Sequence, residues 1–234
     1  MVNEMGVDKD TIYETLEDAV EAVDADAVIN TAGVQSHAPV GETAVRAGLH
    51  YLTEKPFVDS IRDGERLVAL GRRRKRIVMV SQNYRFHPAV AKVRSLLGSA
   101  SLGKPCTVRI DFRRYVNNRD PGSRHYRLEQ PLLQDMAVHQ FDLLRAVLGS
   151  EPSEIICKPN RPRWSRFVDA PSASALISFP PDILVTYRGS WIAHESQTRW
   201  AGEWVIECEK GALVWTSRGD GVDDRVVLHR AGAA

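Results

Sequence analysis

The sequence has few cysteines, no long apolar run and almost no net charge, and each shortage excludes a class of protein. Its three cysteines, Cys106, Cys157 and Cys208, are odd in number and far apart, which argues against a disulfide framework or a zinc knuckle. No apolar run could span a bilayer, and the first residues lack a signal-peptide core. The net charge of +1 favours neither nucleic acid nor a membrane surface. We therefore expect a cytoplasmic globular protein with buried free thiols.

The first 88 residues alternate short apolar runs with helical patterns. The runs predict strands at 27–30, 50–53 and 77–80, and the helical patterns predict helices at 39–47 and 61–73. Strands that alternate with helices of this length are typical of βαβ units and a parallel sheet. The basic run at 72–76 has no interleaved aromatic residue, so it indicates a solvated helix end rather than a nucleic-acid site.

The pattern changes after residue 88. A helix is predicted at 89–97, and another at 134–148 that ends at Gly149. Strands follow one another with turns between them, at 107–113, 173–179, 183–190, 204–208 and 226–229. This order predicts a second, α+β domain with a large, mostly antiparallel open sheet that helices cover on one face.

The tripeptide Glu54-Lys55-Pro56 directly follows a predicted strand. Ligands of open parallel sheets bind at the carboxyl ends of the strands. A lysine held there could polarise a carbonyl group or exchange a proton. The alternative is a solvated turn, since most lysines are exposed.

Asp135 and His139 lie four residues apart in the predicted helix 134–148, so they share one face. An imidazole beside a carboxylate suits general acid–base chemistry near neutral pH. A purely structural pair is the alternative. A metal-dependent lyase is a further one, although no third ligand of matching pattern is evident. The segment Ser81–Pro88 also leaves a strand, and it could orient a ligand or form an interdomain hinge.

Together these motifs resemble the Gfo/Idh/MocA family, the sugar oxidoreductases of the glucose–fructose oxidoreductase and inositol dehydrogenase type. The stretch Asp26–Thr31, then His37, then Ala47–Pro56 is similar to the family's strand, TP-x(4)-H turn and AGKH-x(4)-EKP motif. Residues 82–88 resemble its next strand end, and residues 133–144 its D-x-x-x-H helix. Later segments that resemble family sheet elements are 202–204 and 209–213.

The resemblance implies a Rossmann-type domain at 1–88 that binds NAD or NADP, and a domain for substrate and oligomerisation at 89–234. It implies hydride transfer between nicotinamide and a hydroxyl or carbonyl carbon of a sugar or cyclic polyol, without a metal. Lys55 and His139 would be the catalytic pair, and Asp135 would orient His139 or hold a substrate hydroxyl. The residues expected along the nicotinamide ribose and amide are Thr31, Gly33, His37, Glu54 and Asn83.

The sequence departs from the family pattern in three places. Ala32-Gly33 replaces the usual proline after the strand, and Gln130-Pro131-Leu132 replaces glycines before D-x-x-x-H. The fingerprint G-x-G-x-x-G, whose backbone N–H groups hold a dinucleotide pyrophosphate, is absent. We therefore expect a truncated Rossmann-type sheet without its first βαβ unit, and weak NAD(P) binding by this chain alone. Thr11-Ile12-Tyr13 is then a candidate short strand, and 27–31 an unpaired edge.

Two further expectations concern partners. Four tryptophans of the second half, Trp191, Trp200, Trp204 and Trp215, suggest that its open sheet pairs with another copy of the chain. The alternative to an enzyme is a non-catalytic remnant that binds a sugar or a partner protein.

Overall fold

The computed structural model describes residues 8–219 and 223–232, which divide into two compact units at the Gln82–Asn83 junction. Each unit has its own sheet and its own hydrophobic core. None of the helices within the described ranges is long and apolar enough to cross a membrane. The roles given to the two halves, cofactor binding and substrate binding with oligomerisation, stay predictions.

The first unit contains a parallel sheet of three strands in the order β1-β2-β3. Its strands are β1 (Ala27–Asn30), β2 (His50–Thr53) and β3 (Val78–Val80), and its helices are α1 (Leu16–Ala22), α2 (His37–Arg46) and α3 (Ile61–Arg74). The register pairs Asn30 with Thr53, so β1 and β2 end side by side. This is the βαβ pattern that the sequence predicts.

Local chemistry explains the helix bounds and their close packing. The Ser60 hydroxyl accepts the Asp63 N–H at 3.1 Å and caps α3. The last turn of α3 carries Arg72, Arg73 and Arg74, which suits the negative end of the helix dipole. Gly41 lets α2 approach the sheet, because a Cβ there would lie 2.6 Å from the Tyr51 ring and 2.8 Å from Leu67.

The predicted strand at Thr11-Ile12-Tyr13 is wrong. Residues Lys9–Thr11 form a 3₁₀ turn, because the Asp8 carboxylate accepts the Asp10 N–H at 3.1 Å and caps it. Among the described residues, β1 pairs with β2 alone, and its Ile29 side chain is 70% exposed. The strand therefore offers an apolar edge.

The second unit contains a sheet of seven strands in the order β10-β9-β8-β4-β7-β6-β5. All neighbours are antiparallel except β4 and β7. The strands are β4 (Pro105–Arg113), β5 (Glu154–Asn160), β6 (Ser172–Phe179), β7 (Ile183–Ser190), β8 (Glu203–Cys208), β9 (Gly211–Thr216) and β10 (Arg225–Arg230). The predicted fold class, a Rossmann-type parallel sheet followed by an α+β domain, is thereby confirmed.

Helices cover one face of the large sheet. They are α4 (Pro88–Leu97), a π-helix (Pro131–Ala137) and α5 (Val138–Leu148), which ends at Gly149 with a φ of 67°. Alternate residues of β4 show the two faces, since Val108 and Ile110 are buried whereas Thr107 and Arg109 are exposed. The outer face of the sheet is thus open within this unit.

The single helix predicted at 134–148 needs correction, because it begins with the π-helix at Pro131. Gln130 adopts a left-handed φ of 41° directly before it. The Gln130 backbone N–H donates to the Asp169 carboxylate at 3.0 Å, which holds that conformation. Single-turn π segments are frequent at functional sites.

Two further expectations about side chains are wrong. Cys106 and Cys157 are exposed and Cys208 is half-buried, since β5 lies at a sheet edge and Cys106 near the start of β4. The tryptophan argument for an interface also fails, because Trp191, Trp204 and Trp215 are at most 2% exposed within their own unit.

Candidate active site

The carboxyl ends of β1 and β2 bring several predicted residues of the first unit together. Thr31 and Gly33 follow β1 and are exposed, whereas Glu54 and Lys55 follow β2 and are half-buried. The Glu54 N–H donates to the Asn30 carbonyl at 3.0 Å, which extends the pairing of the two strands to this point. This polar edge lies where open parallel sheets bind ligands.

Asn30 organises the loop that carries Thr31 and Gly33. Its side-chain amide donates to the Tyr51 hydroxyl at 3.0 Å, and its side-chain oxygen accepts the Ala32 N–H at 3.0 Å. The Tyr51 hydroxyl donates onward to the His37 carbonyl at 2.7 Å. The side chains of Asn30 and Tyr51 are both buried, so a buried hydrogen-bond network holds the loop in place. Sequence reasoning gave neither Asn30 nor Tyr51 a role.

His37 connects the two loops at this edge. Its ring is 1% exposed, with Nδ1 2.8 Å from the Pro56 carbonyl oxygen and Nε2 3.1 Å from the Ala32 carbonyl oxygen. Both nitrogens thus face backbone oxygens, and the ring fixes the Lys55–Pro56 segment against the loop after β1. This geometry is a positioning role, and the expected contact of His37 with a cofactor stays a prediction.

The donor set at this edge fits the nicotinamide half of a dinucleotide. A nicotinamide riboside presents hydroxyl groups and a carboxamide, which need both donors and acceptors. The edge offers the Thr31 hydroxyl, the Glu54 carboxylate and the Lys55 ammonium group, with backbone exposed at Gly33. Beneath them, the buried Thr53 hydroxyl has no hydrogen-bond partner among the described residues.

In the second unit, the predicted catalytic residue His139 is enclosed by aromatic and charged groups. Its side chain is 6% exposed, and its ring stacks on Tyr84 with centroids 4.1 Å apart. The Arg218 guanidinium lies over the same Tyr84 ring at 4.6 Å. Burial raises the pKa of the Tyr84 hydroxyl, so Tyr84 stays neutral at physiological pH.

Asp135 lies in the π-helix one turn before His139. Its Oδ2 atom is 4.0 Å from Nδ1 of His125. The His125 ring is held edge-on between Phe167 and Trp191, with centroids 5.3 Å and 5.0 Å away. Asp135 thus lies near a second imidazole, since His125 is on the separate 3₁₀ turn Arg124–Arg127.

The predicted ligand-binding segment 81–88 crosses the junction between the units. Arg85 donates from Nε to Oδ2 of Asp142 at 2.9 Å, and its Nη2 pairs with Oδ1 of the same carboxylate. This two-point pair ties the segment to α5, one turn after His139. Asn83 is exposed at the start of the 3₁₀ turn Asn83–Phe86.

The described residues contain no group of three or more histidine, cysteine, aspartate or glutamate side chains that could hold a metal ion. A metal-dependent lyase built on Asp135 and His139 therefore has no third protein ligand among them.

Two family models match the chain. Residues 2–82 match the oxidoreductase family model with an NAD-binding Rossmann fold, and residues 90–214 match the GFO/IDH/MocA C-terminal domain. The nicotinamide cofactor expected from the sequence is confirmed at the level of this family.

Individual relatives agree with these matches. The uncharacterized protein y4oX of Sinorhizobium fredii is 25% identical over 219 residues, which are 92% of this chain and 60% of y4oX. Myo-inositol 2-dehydrogenase of Thermotoga maritima is 25% identical over 155 residues, 66% of this chain and 45% of that protein. The chain thus spans 60% or less of the length of these two curated relatives.

Solved structures share the fold at lower identity. Aldose-aldose oxidoreductase from Caulobacter crescentus, complexed with glycerol, has a TM-score of 0.83 at 20% identity. The match covers 99% of this chain and 69% of the Caulobacter chain. An inositol dehydrogenase homolog from Azotobacter vinelandii, complexed with NADH and myo-inositol, has a TM-score of 0.79 at 19% identity. That match covers 97% of this chain and 65% of the Azotobacter chain.

Proposed function

The chain belongs to the GFO/IDH/MocA oxidoreductase family, and on that basis we propose that it transfers a hydride between a nicotinamide cofactor and a sugar or cyclic polyol. The observation that carries the proposal is the setting of His139. Its imidazole is 6% exposed and stacked on Tyr84, within the segment that the C-terminal domain model matches. Relatives named myo-inositol 2-dehydrogenase and 1,5-anhydro-D-fructose reductase support a polyol or sugar substrate.

The reaction needs two transfers from a substrate alcohol. A bound nicotinamide cofactor would supply the acceptor for the hydride that leaves the carbon. His139 takes the hydroxyl proton on an imidazole nitrogen, and Lys55 supplies an ammonium group as a hydrogen-bond donor to the substrate. In the reverse direction His139 returns the proton to the carbonyl oxygen. Asp135 orients His139 or accepts a hydrogen bond from a second substrate hydroxyl.

Cofactor binding falls to the residues at the strand ends. Thr31, Glu54 and Asn83 supply side-chain groups for the ribose and amide, and Gly33 lets the backbone approach closely. His37 has a positioning role, since its ring contacts the loops that carry Thr31 and Lys55. The assay described below determines whether the protein prefers NAD or NADP.

The test measures reduced nicotinamide by absorbance, with the 234-residue protein, NAD⁺ or NADP⁺, and a panel of aldoses and inositols. Millimolar cofactor is used, because a sequence without G-x-G-x-x-G is expected to bind it weakly. We expect turnover that falls about 100-fold or more in Lys55→Ala and in His139→Ala. The control variants are Lys92→Ala and His229→Ala, which remove exposed side chains of the same types.

The result that contradicts the proposal is an absence of hydride transfer with both cofactors across the whole panel. Calorimetric binding of sugars without turnover would instead identify a non-catalytic sugar-binding module. Equal turnover in the wild type and in Lys55→Ala would show that Glu54-Lys55-Pro56 is only a turn.

The open face of the large sheet supports a homo-oligomer. Its outward side chains include exposed aliphatic residues on four strands, namely Ile156, Leu176, Leu184 and Val214. Exposed apolar side chains on an open sheet face favour protein contacts, and two-fold dimers are the commonest assembly. We expect a dimer or larger species by light scattering, and a shift toward monomer in Leu184→Glu. A monomer at high protein concentration would overturn this part of the proposal.

A further inference from the structure

Arg218 adopts a backbone conformation that few side chains tolerate. Its φ is 64°, in the left-handed region where a residue other than glycine is uncommon. Two hydrogen bonds hold it there, since the Arg218 N–H donates to the Asp224 carboxylate at 3.0 Å and the Trp200 N–H donates to the Arg218 carbonyl at 3.1 Å. A strained residue fixed by its surroundings is a reason to ask what its side chain does.

The Arg218 side chain contacts the tyrosine ring that stacks on His139. Its guanidinium lies over Tyr84, the ring that stacks on His139. Its Nη1 is 3.2 Å from Nε2 of His87, and because arginine has no acceptor, that nitrogen accepts the hydrogen bond. His87 therefore carries its proton on Nδ1, which is 3.7 Å from the Asp224 carboxylate.

No carboxylate among residues 8–219 and 223–232 forms an ion pair with the Arg218 guanidinium. Asp224 is the nearest acid in this network, and its oxygens accept the Arg218 backbone N–H and the Ser217 hydroxyl. Within the described part of the chain, the half-buried charge of Arg218 thus has aromatic and imidazole neighbours and no ion pair.

A second guanidinium lies in the same region. Arg114 is over the Trp200 ring at 4.0 Å, and its Nη1 donates to the Gln197 side-chain oxygen at 3.0 Å. The charges of Arg218 and Arg114 both favour the ionised form of the Tyr84 hydroxyl, whereas Asp135 disfavours it. Arg218 and Arg114 thus place two cations near Tyr84, with the Asp135 and Asp224 carboxylates in the same network.

We propose that Arg218, together with Arg114, recognises an anionic group of the substrate, either a carboxylate or a phosphate, so that the substrate is an acidic or phosphorylated sugar. This rests on the proposed function, because it names the substrate class of the same site. The planar guanidinium group offers a fork of N–H donors that matches the oxygens of carboxylate and phosphate. Arg114 lies over Trp200 and Arg218 over Tyr84, the ring that also stacks on His139.

The experiment is calorimetric titration without cofactor, which separates this inference from hydride transfer. The three probes are D-glucuronate, D-glucose 6-phosphate and D-glucose, which share a pyranose ring and differ in charge. We expect at least one anionic sugar to bind about 10-fold or more tightly than D-glucose, the scale of one charge-assisted hydrogen bond. The tighter of the two anions identifies carboxylate or phosphate as the group recognised.

Variants decide whether Arg218 is responsible. Arg218→Gly removes the guanidinium at a position whose φ suits glycine, so we expect it to fold and to lose the preference for the anion. Arg114→Gln should also reduce the preference for the anionic sugar over D-glucose. Arg163→Gln is the matched control, because it removes an exposed arginine from the segment between β5 and β6.

Equal affinity for the three probes overturns the inference and leaves the proposed function untouched. An unchanged anion preference in folded Arg218→Gly overturns it as well. Failure of all three sugars to bind also counts against it, while the hydride-transfer assay decides the proposed function by itself.

Discussion

The imidazole of His139 lies parallel to the phenol ring of Tyr84, with ring centroids 4.1 Å apart and an interplanar angle of 6°. Both side chains are 6% exposed, so the contact is shielded from water. Stacking fixes the plane of the imidazole while its nitrogens stay at the ring edge, where they can reach a ligand. The phenol is therefore a positioning group for the residue proposed as the proton acceptor.

Replacing Tyr84 by leucine is expected to lower kcat about 10-fold, because the imidazole loses the surface that fixes its plane. Tyr84→Phe keeps the ring, so its kcat should stay within about 2-fold of the wild type. The independent measurement is the NMR shift of the His139 ring protons, which the stacked ring displaces. That shift should persist in Tyr84→Phe and disappear in Tyr84→Leu; the opposite pattern would contradict the positioning role.

The Asp169 carboxylate should make stability depend on pH. The Gln130 N–H at 3.0 Å and the Ala170 N–H at 2.7 Å donate to it, and the Gln130 bond is the larger cause that lowers its pKa below the ordinary 3.8. A lowered pKa means stability that is present above about pH 4 and is lost as the pH falls through the folded value. Asp169→Asn should lower the free energy of unfolding by about 1 kcal/mol at pH 7, a value that already allows for the partial exposure of the carboxylate.

The measurement is chemical unfolding of the wild type and Asp169→Asn between pH 7 and about pH 3. Their free energies of unfolding should converge as the pH falls. Asp59→Asn serves as the control, since Asp59 is exposed and its carboxylate accepts no hydrogen bond within the described part of the chain. A gap that stays constant with pH would refute the assignment to the Asp169 charge.

The elements that depend on local pattern could be predicted from the sequence. Strand Ile183–Ser190 has the predicted bounds, because its side chains alternate between buried and exposed positions along the whole strand. Helix α3 differs by one residue at its end, since Ser60 caps it and a basic run closes it. The Gfo/Idh/MocA resemblance is also confirmed, because its motifs lie in the order that the family models match.

The features that depend on distant contacts could not be predicted. The π-helix begins where it does because Asp169 holds Gln130, and nothing in the run 131–148 records that bond. The pairing of Tyr84 with His139 likewise joins two motifs that sequence reasoning treated separately. The apolar neighbours of Cys157 predict a buried thiol, yet the edge position of β5 exposes it.

The thiols should differ in reactivity. Burial is the main cause that raises the pKa of Cys208 to about 11, and the neighbouring Cys106, Glu207 and Glu209 add to it. At pH 8 roughly one Cys208 side chain in a thousand is then a thiolate, the reactive form. We expect alkylation by iodoacetamide, followed by peptide mapping, to modify exposed Cys106 well before Cys208. Equal rates at pH 8 would show that Cys208 is not shielded.

Two buried tyrosine hydroxyls should respond oppositely to the same change. Tyr187 is 2% exposed, and its hydroxyl has no hydrogen-bond partner among the described residues, whereas the Tyr126 hydroxyl donates to the Val116 carbonyl at 2.9 Å. Burial without a partner raises the pKa of Tyr187 and imposes a desolvation cost that phenylalanine avoids. Tyr187→Phe should therefore raise the free energy of unfolding by about 1 kcal/mol, and Tyr126→Phe should lower it by about 1 kcal/mol. Chemical denaturation of both variants measures the difference, and a loss of stability in Tyr187→Phe would mean that its hydroxyl has a partner after all.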